Sequence, residues 1–130
     1  MNSDLTEMFN VIDQMSAEGF VSYLADDVVF RFGNAPELVG KDNVLAGIKV
    51  FFSHIAGLNH FLLEKWVDGN TSILRFNTQY TKFDQSLVLI PCCAIIRFNQ
   101  SRMIDDYRIY ADITPLYTES PTAIGQRASA

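Results

Sequence analysis

The fold is decided by the stretch Ser101-Arg102-Met103-Ile104-Asp105-Asp106-Tyr107-Arg108-Ile109-Tyr110-Ala111-Asp112-Ile113-Thr114-Pro115-Leu116-Tyr117, close to the end of the chain. Its alternation and its β-branched and aromatic residues predict one long strand. Three earlier runs, at 58–67, 71–83 and 86–98, are also typical of strands. Because Asp68-Gly69-Asn70 is a strong hairpin signal between the first two runs, the second half of the chain predicts an antiparallel meander.

The first half of the chain has helical spacing. Leu5, Met8, Phe9 and Ile12 recur three and four residues apart, which predicts an amphipathic helix. The same kind of reasoning predicts a second helix, a short strand and a third helix at 16–24, 28–32 and 42–55. Helices followed by a meander indicate an α+β fold with the helices gathered on one face of the sheet.

Length and composition indicate one globular domain. The chain has 130 residues, of which 48% are hydrophobic and 12% are aromatic. This is enough apolar surface for one core, and the length leaves no room for two domains. We expect residues 1–117 to form the single domain and residues 118–130, which are small and polar, to form a flexible tail.

The charge pattern argues against nucleic-acid and membrane partners. The net charge is −5 and the ten Lys and Arg residues are scattered, so there is no basic stripe to neutralise phosphates. No apolar leader is visible at the start of the sequence, and the longest apolar run, at 87–96, is too short to cross a bilayer as a helix. We expect neither partner.

The two cysteines, Cys92 and Cys93, are adjacent in the sequence. Neighbouring side chains on a strand point to opposite faces, so a disulfide between them would be strained. We therefore expect reduced thiols in a cytoplasmic protein. Because no cluster has the spacing of metal ligands, we expect no metal and no cofactor.

Several short motifs carry a family resemblance. They are Phe30-Arg31-Phe32-Gly33-Asn34-Ala35-Pro36, Val39-Gly40-Lys41, Gly57-Leu58-Asn59-His60 and Tyr110-Ala111-Asp112. In this order, over residues 5–117, they resemble the SnoaL-like branch of the nuclear-transport-factor-2-like superfamily. The relatives include polyketide cyclases, limonene epoxide hydrolase and ketosteroid isomerase.

The resemblance implies an architecture. It is a cone-shaped, cystatin-like fold in which three N-terminal helices pack on a strongly curved, mainly antiparallel sheet and enclose a pocket for a small apolar ligand. It also implies a homodimer through the outer face of the sheet, where apolar area is expected from Leu89, Cys93, Ile95 and Tyr110.

One activity of these relatives is disfavoured by the sequence. The final strand of the epoxide hydrolases carries Arg-Asp-Tyr-Phe-Asp, and Ile109 stands here in place of the first, catalytic Asp. Asn77 and Gln79 align with their Arg-x-Asp pair. Since neither Ile nor an amide transfers a proton at neutral pH, we expect the epoxide-hydrolase mechanism to be absent.

Two ionisable residues are candidates for acid–base catalysis. Strand alternation places Asp105 on the pocket face together with Tyr107 and Ile109, while Asp106 faces outward. His60 opens a strand and is expected on one face with Trp66. The alternatives are a solvated carboxylate at the rim for Asp105 and a hydrogen-bonded structural imidazole for His60.

The remaining candidates would line the pocket. The predicted ligand-binding residues are Tyr23, Phe32, Phe52, Trp66, Asn77, Gln79, Tyr107 and Ile109. For each aromatic side chain the alternative is ordinary core packing. For Asn77 and Gln79 the alternative is the outer face of the sheet, which a slip of one residue in the register would produce.

Two hypotheses about function follow. In the first, the protein is a cofactor-independent isomerase, cyclase or lyase: His60 or Asp105 moves a proton beside the carbonyl of a small apolar substrate, and Tyr107, Asn77 or Gln79 hydrogen-bonds the oxyanion. In the second, it is a non-catalytic protein that binds a small ligand or serves as a dimerising module.

Overall fold

The computed structural model describes residues 2–117, with side chains from residue 5 onward. The tail predicted at 118–130 lies outside the described residues. The described elements, in chain order, are α1 (Asn2–Asp13), α2 (Ala17–Val21), β1 (Leu24–Phe32), β2 (Leu38–Val39), α3 (Lys41–Phe52), β3 (Gly57–Asp68), β4 (Thr71–Thr81), β5 (Leu87–Phe98), β6 (Ile104–Tyr110) and a 3-10 helix (Thr114–Tyr117).

The helices form where apolar residues recur at helical spacing. Leu5, Met8, Phe9 and Ile12 of α1 are all buried, so one face of this helix belongs to the core. The Ser16 hydroxyl caps α2 by accepting a hydrogen bond from the Gly19 amide at 3.0 Å. This helix ends at Val21, and the chain enters β1 at Leu24, earlier than the expected start at residue 28.

The sheet confirms the predicted α+β architecture. Within residues 2–117 the strands form one mixed sheet in the order β2-β1-β6-β5-β4-β3. The meander from β3 to β6 is antiparallel. β1 pairs in parallel with β6, so Phe30 lies beside Tyr107 and Phe32 lies beside Ile109.

The last strand is shorter than predicted. β6 ends at Tyr110 and a 3-10 helix begins at Thr114. The Asp112 carboxylate accepts a hydrogen bond from the Thr114 amide at 3.0 Å, which turns the chain, and Pro115 has no amide hydrogen to donate to a neighbouring strand. The prediction of one long strand up to Tyr117 was therefore wrong.

Two β-bulges change which side chains face inward. In β3, Leu62 pairs with Phe76 but Glu64 pairs with Arg75, so Leu63 is an extra residue. In β6, Asp106 pairs with Arg97 and Ile104 pairs with Phe98, so Asp105 is an extra residue. Because the side-chain period of a strand is two, each extra residue moves the flanking side chains to the opposite face.

The core lies between the helices and the concave face of the sheet. Phe76, Tyr107, Leu74 and Ile96 are among its largest fully buried side chains. The outer face of the sheet carries exposed apolar side chains, which include Trp66, Leu89, Ile95 and Tyr110. None of the helices within residues 2–117 is long and apolar enough to cross a membrane.

Candidate active site

A small cavity lies between the helices and the concave face of the sheet. Its volume is about 50 Å³. Its lining combines many apolar side chains with a few polar ones, and consists of Ile12, Phe20, Phe30, Phe32, Ile48, Phe51, Phe52, Leu58, His60, Phe76, Thr78, Tyr80, Cys92, Tyr107 and Ile109. Such a lining favours an apolar body with one or two polar groups.

His60 is the basic side chain of this lining, and it is bound to Asp13. The His60 Nδ1 lies 2.5 Å from Asp13 Oδ1, and the His60 backbone amide donates to Asp13 Oδ2 at 3.0 Å. The side chains are 9% and 18% exposed. A carboxylate that accepts a hydrogen from Nδ1 leaves Nε2 as the basic nitrogen of the neutral ring.

Two aromatic rings fix the plane of the imidazole. Phe9 stacks on His60 with ring centroids 4.5 Å apart and an interplanar angle of 10°. The Phe76 ring lies 5.5 Å away on a tilted plane. The imidazole is thereby oriented, with Nδ1 at Asp13 and the ring in the cavity lining.

Tyr107 brings a neutral hydroxyl into the same cavity. Its side chain is 1% exposed, and burial raises the pKa of Tyr107 far above that of tyrosine in water. No hydrogen bond from this hydroxyl to another described residue is present. Every fully enclosed polar side-chain atom of the described chain does have a partner, so the Tyr107 hydroxyl keeps some accessible surface, and Tyr107 is part of the cavity lining.

Two other polar groups of the cavity are partnered with each other. The Thr78 hydroxyl lies 3.7 Å from the Cys92 sulfur. Burial raises the pKa of the Cys92 thiol, which disfavours the thiolate form. Burial likewise raises the pKa of Tyr80. These groups are protonated at neutral pH and are suited to hydrogen bonding rather than to proton abstraction.

The structure brings several predicted site residues together. His60, Phe32, Phe52, Tyr107 and Ile109 all line the cavity. They come from β3, β1, α3 and β6, so the sheet and the third helix jointly assemble the lining. Ile109 occupies the position that the epoxide-hydrolase comparison assigned to an acid, and it presents only an apolar surface there.

Asp105 lies elsewhere. It occupies the β6 bulge, and its carboxylate accepts a hydrogen bond from Arg97 Nε at 2.9 Å. The neighbouring Asp106 carboxylate accepts a hydrogen bond from Arg108 Nε at 2.9 Å. The bulge turns Asp105 away from the cavity lining, contrary to the expectation from strict alternation.

Trp66, Asn77 and Gln79 also lie outside the cavity. Beyond the bulge at Leu63, Trp66 pairs with Ile73 on the outer face, where its side chain is 49% exposed. Asn77 and Gln79 alternate with the buried side chains of β4 and therefore face outward. For Asn77 and Gln79 the structure therefore shows the alternative, the outer face of the sheet, and not the expected pocket face.

Tyr23 lies before β1 and packs against the core without lining the cavity. Its carbonyl accepts a hydrogen bond from the Ile104 amide at 3.0 Å. His54 lies just beyond the end of α3 and is exposed.

Asp13, the partner of His60, is the residue of the candidate site that the sequence did not point to. It is the last residue of α1, where a negative charge is unfavourable because the carboxyl end of a helix carries partial negative charge. An acid in that position was the available signal that its carboxylate has another partner. Across residues 2–117, no group of His, Cys, Asp and Glu side chains could hold a metal ion.

The family is decided by comparison with known domains. Residues 5–105 match the model of the SnoaL-like domain. The chain belongs to the SnoaL-like family. No curated protein matches this SnoaL-like chain significantly.

Solved structures share the fold of this SnoaL-like domain. An NTF2-like protein of unknown function from Burkholderia pseudomallei has a TM-score of 0.77 and 17% identity, with 86% of this chain and 90% of that chain covered. A putative SnoaL-like polyketide cyclase from Jannaschia sp. CCS1 has a TM-score of 0.75 and 11% identity, with coverages of 88% and 86%.

An LEH-like epoxide hydrolase of M. tuberculosis has a TM-score of 0.72 and 13% identity, with coverages of 87% and 83%. At such identities these similarities show the fold of the SnoaL-like domain alone. The chemistry of this domain depends on the residues that line its cavity.

Proposed function

We propose that this SnoaL-like protein is a cofactor-independent isomerase, cyclase or lyase that acts on a small, uncharged, mostly apolar carbonyl compound. His60 is the acid–base residue, Asp13 is its positioning residue, and Tyr107 is the hydrogen-bond donor to the substrate oxygen. The observation that carries the proposal is the placement of two complementary groups in one apolar cavity: a base backed by a carboxylate and a protonated hydroxyl without a protein partner.

The proposed chemistry is proton transfer next to a carbonyl group. His60 Nε2 removes the proton from the α-carbon, and the C–H electron pair moves into the enolate. Asp13 stabilises the imidazolium that forms. The Tyr107 hydroxyl donates a hydrogen bond to the enolate oxygen, where negative charge develops.

The same proton then completes the reaction. Return of the proton from Nε2 to another carbon gives isomerisation, and its delivery to a departing hydroxyl gives loss of water. Protonation at the carbon from which the proton came regenerates the substrate. All three outcomes need one base and one oxyanion donor, which the cavity supplies.

The lining supports an uncharged substrate. The described residues that line the cavity include neither Lys nor Arg. A carboxylate or phosphate group of a ligand would therefore lose its hydration without gaining a permanent cation, which is costly in an apolar environment. A ketone or aldehyde oxygen needs only a hydrogen-bond donor, and Tyr107 provides one.

Proton exchange tests the proposal without knowledge of the natural substrate. Small ketones are incubated with the protein in D₂O, and exchange of the α-hydrogens is followed by NMR and mass spectrometry. We expect the wild type to accelerate exchange of at least one ketone, and His60→Gln to reduce that acceleration by about 100-fold or more. Tyr107→Phe should reduce it as well.

Asp105→Asn is the matched control, because it removes a carboxylate that lies outside the cavity. This variant should keep the exchange rate of the wild type. If no ketone in the series exchanges faster than in buffer, or if His60→Gln exchanges as fast as the wild type, the catalytic proposal is wrong.

A second candidate function is non-catalytic binding of a small apolar ligand. It is favoured by the small size of the cavity, about 50 Å³, and by the preponderance of apolar side chains in its lining. In this case a ketone should raise the melting temperature in the wild type and in His60→Gln alike, without exchange of its α-hydrogens.

We also propose that the protein forms a homodimer through the outer face of the sheet and resides in the cytoplasm. Support for the dimer comes from the exposed side chains Leu89, Ile95 and Tyr110 on this face, which are 56%, 36% and 54% exposed. Support for the location comes from the free thiols of Cys92 and Cys93.

A further inference from the structure

A second cavity adjoins the candidate active site. It has a volume of about 220 Å³ and is lined by Phe51, His54, Ile55, Leu116 and Tyr117. Phe51 also lines the inner cavity, so the two cavities share this residue. The 3-10 helix Thr114–Tyr117 contributes the outer wall.

The inner cavity by itself holds very little. Its volume is about 50 Å³, whereas an apolar cavity that accommodates benzene measures about 150 Å³. A cyclic substrate therefore cannot fit between His60 and Tyr107 while Phe51 keeps its position. The adjoining cavity is large enough to receive the remainder of such a molecule.

We propose that the two cavities form one ligand chamber divided by Phe51, and that the Phe51 side chain determines the size of ligand that is accepted. This inference rests on the proposed function, since it places the carbonyl group at His60 and Tyr107. The body of the ligand passes the position of the Phe51 ring and lies against Ile55 and Leu116. The ligand class is an uncharged carbonyl compound larger than the inner cavity.

The contacts of Phe51 suit a movable partition. Its ring meets Phe32 and Tyr80 edge-on, at centroid distances of 5.2 Å and 5.9 Å, and its side chain is only partly buried. It lies in the last turn of α3. A partly buried ring at the end of a helix is less confined than a fully enclosed ring.

The test measures binding as a function of ligand size. 2-Butanone and the bicyclic 2-decalone are titrated into wild type, Phe51→Ala and Phe30→Ala, and the methyl signals of Ile109, Ile55 and Leu116 are followed by NMR. Phe30→Ala is the matched control, because Phe30 lines the inner cavity but not the outer one and its ring packs on Phe20 and Tyr107 rather than on Phe51.

We expect Phe51→Ala to bind 2-decalone at least about tenfold more tightly than the wild type does, because burial of each methylene tightens binding about fourfold. The gain in affinity for 2-butanone should be smaller than the gain for 2-decalone, and 2-decalone should shift the signals of Ile55 and Leu116. In Phe30→Ala those two signals should not respond. Phe51→Leu serves if Phe51→Ala does not fold.

The inference is overturned if 2-decalone leaves Ile55 and Leu116 unperturbed in Phe51→Ala, or if Phe30→Ala responds in the same way. If none of these proteins binds a ketone, the proposed carbonyl ligand is wrong. The role of Phe51 as a partition is then tested by titration with xenon, which needs no hydrogen-bond donor. The quantity compared is the xenon concentration that gives half of the maximal NMR shift. Equal values at Ile109 and Leu116 in Phe51→Ala, with unequal values in the wild type, support one divided chamber. Unequal values in Phe51→Ala refute it.

Discussion

Asp13 binds His60 with both carboxylate oxygens: Oδ1 lies 2.5 Å from the ring nitrogen Nδ1, and Oδ2 accepts the His60 backbone N–H at 3.0 Å. One side chain thus joins the end of α1 to the beginning of β3 and also sets the orientation of the imidazole. The two residues are 47 positions apart in the chain. Their association is a product of tertiary packing.

The first prediction concerns the tautomer of His60. In the wild type the neutral ring should carry its hydrogen on Nδ1. In Asp13→Asn the amide oxygen accepts the backbone N–H and the amide nitrogen faces Nδ1, so the hydrogen should move to Nε2. Long-range ¹H–¹⁵N correlation spectra distinguish the two forms. Exchange activity should fall by about 100-fold or more, and an unchanged tautomer in Asp13→Asn would contradict this role of Asp13.

The second prediction concerns the ion pair between Asp105 and Arg97. Both side chains are partly exposed, and exposed ion pairs contribute little to stability. Asp105→Asn should therefore shift the melting temperature by no more than about 3 °C and leave ketone binding unchanged. If Asp105→Asn loses ketone binding in an NMR titration, this prediction is wrong and the Asp105 carboxylate belongs to the ligand site.

The third prediction uses the raised pKa of Tyr107. The unfolded chain loses the tyrosine proton near pH 10.0, while the folded protein retains it to higher pH. Stability that depends on the neutral hydroxyl is present below pH 10 and declines above it, because the unfolded state then binds fewer protons than the folded state. In wild type this group should lower the free energy of unfolding by about 1.4 kcal/mol for each pH unit above 10.

Tyr107→Phe removes that contribution. Urea unfolding between pH 8 and pH 11 should therefore show a shallower alkaline decline for Tyr107→Phe than for the wild type. Equal slopes would mean that the Tyr107 hydroxyl ionises in the folded protein as readily as in the unfolded one.

The fourth prediction tests the homodimer. Leu89 is 56% exposed on the outer face of the sheet, and its cross-strand neighbour is the uncharged Gln79. Leu89→Lys should shift the protein from dimer to monomer in sedimentation velocity, because it would bury a charge in the interface. Val50→Lys, on an exposed position of α3, is the control and should stay dimeric. A wild type that is monomeric at every concentration would refute the proposed dimer.

The fifth prediction concerns the single tryptophan, Trp66, whose side chain is 49% exposed on the outer face. In the Leu89→Lys monomer, acrylamide should quench its fluorescence efficiently, and a bound ketone should not alter the quenching. The control is a Trp66→Phe, Phe52→Trp protein, in which the tryptophan lines the cavity and should be protected. If Trp66 in the monomer is strongly protected from acrylamide, its side chain lies inside the protein and not on the outer face.

The α+β class and the strand order of the meander could be predicted because local patterns determine them. Alternation of period two, the turn at Asp68-Gly69-Asn70 and the helical spacing from Leu5 to Ile12 depend only on nearby residues. β3 ends at Asp68 and β4 begins at Thr71, as this turn requires. The short pairing between β1 and β6 is parallel and distant in sequence, and no local pattern announces it.

The cavity could be predicted only in part. Phe32, Phe52, Tyr107 and Ile109 lie on uninterrupted stretches of their elements, where simple alternation or helical spacing is sufficient to place a side chain. Trp66 lies beyond an extra residue that nothing in the local pattern signals. One extra residue moves every later side chain of the strand to the opposite face of the sheet. A prediction that misses it therefore places solvent-exposed side chains in the core.

The sequence by itself determined the helices, the meander and the membership of the SnoaL-like family, because these depend on residue types at short, regular spacings. Only the tertiary structure decided which acid serves His60. Strand alternation predicted Asp105 on the cavity face, but a bulge turns this carboxylate toward Arg97. Asp13 is remote from His60 in the sequence, and the packing of α1 on the sheet brings it to the imidazole. Hydrogen bonds depend on distances in space, and these are set by the whole core.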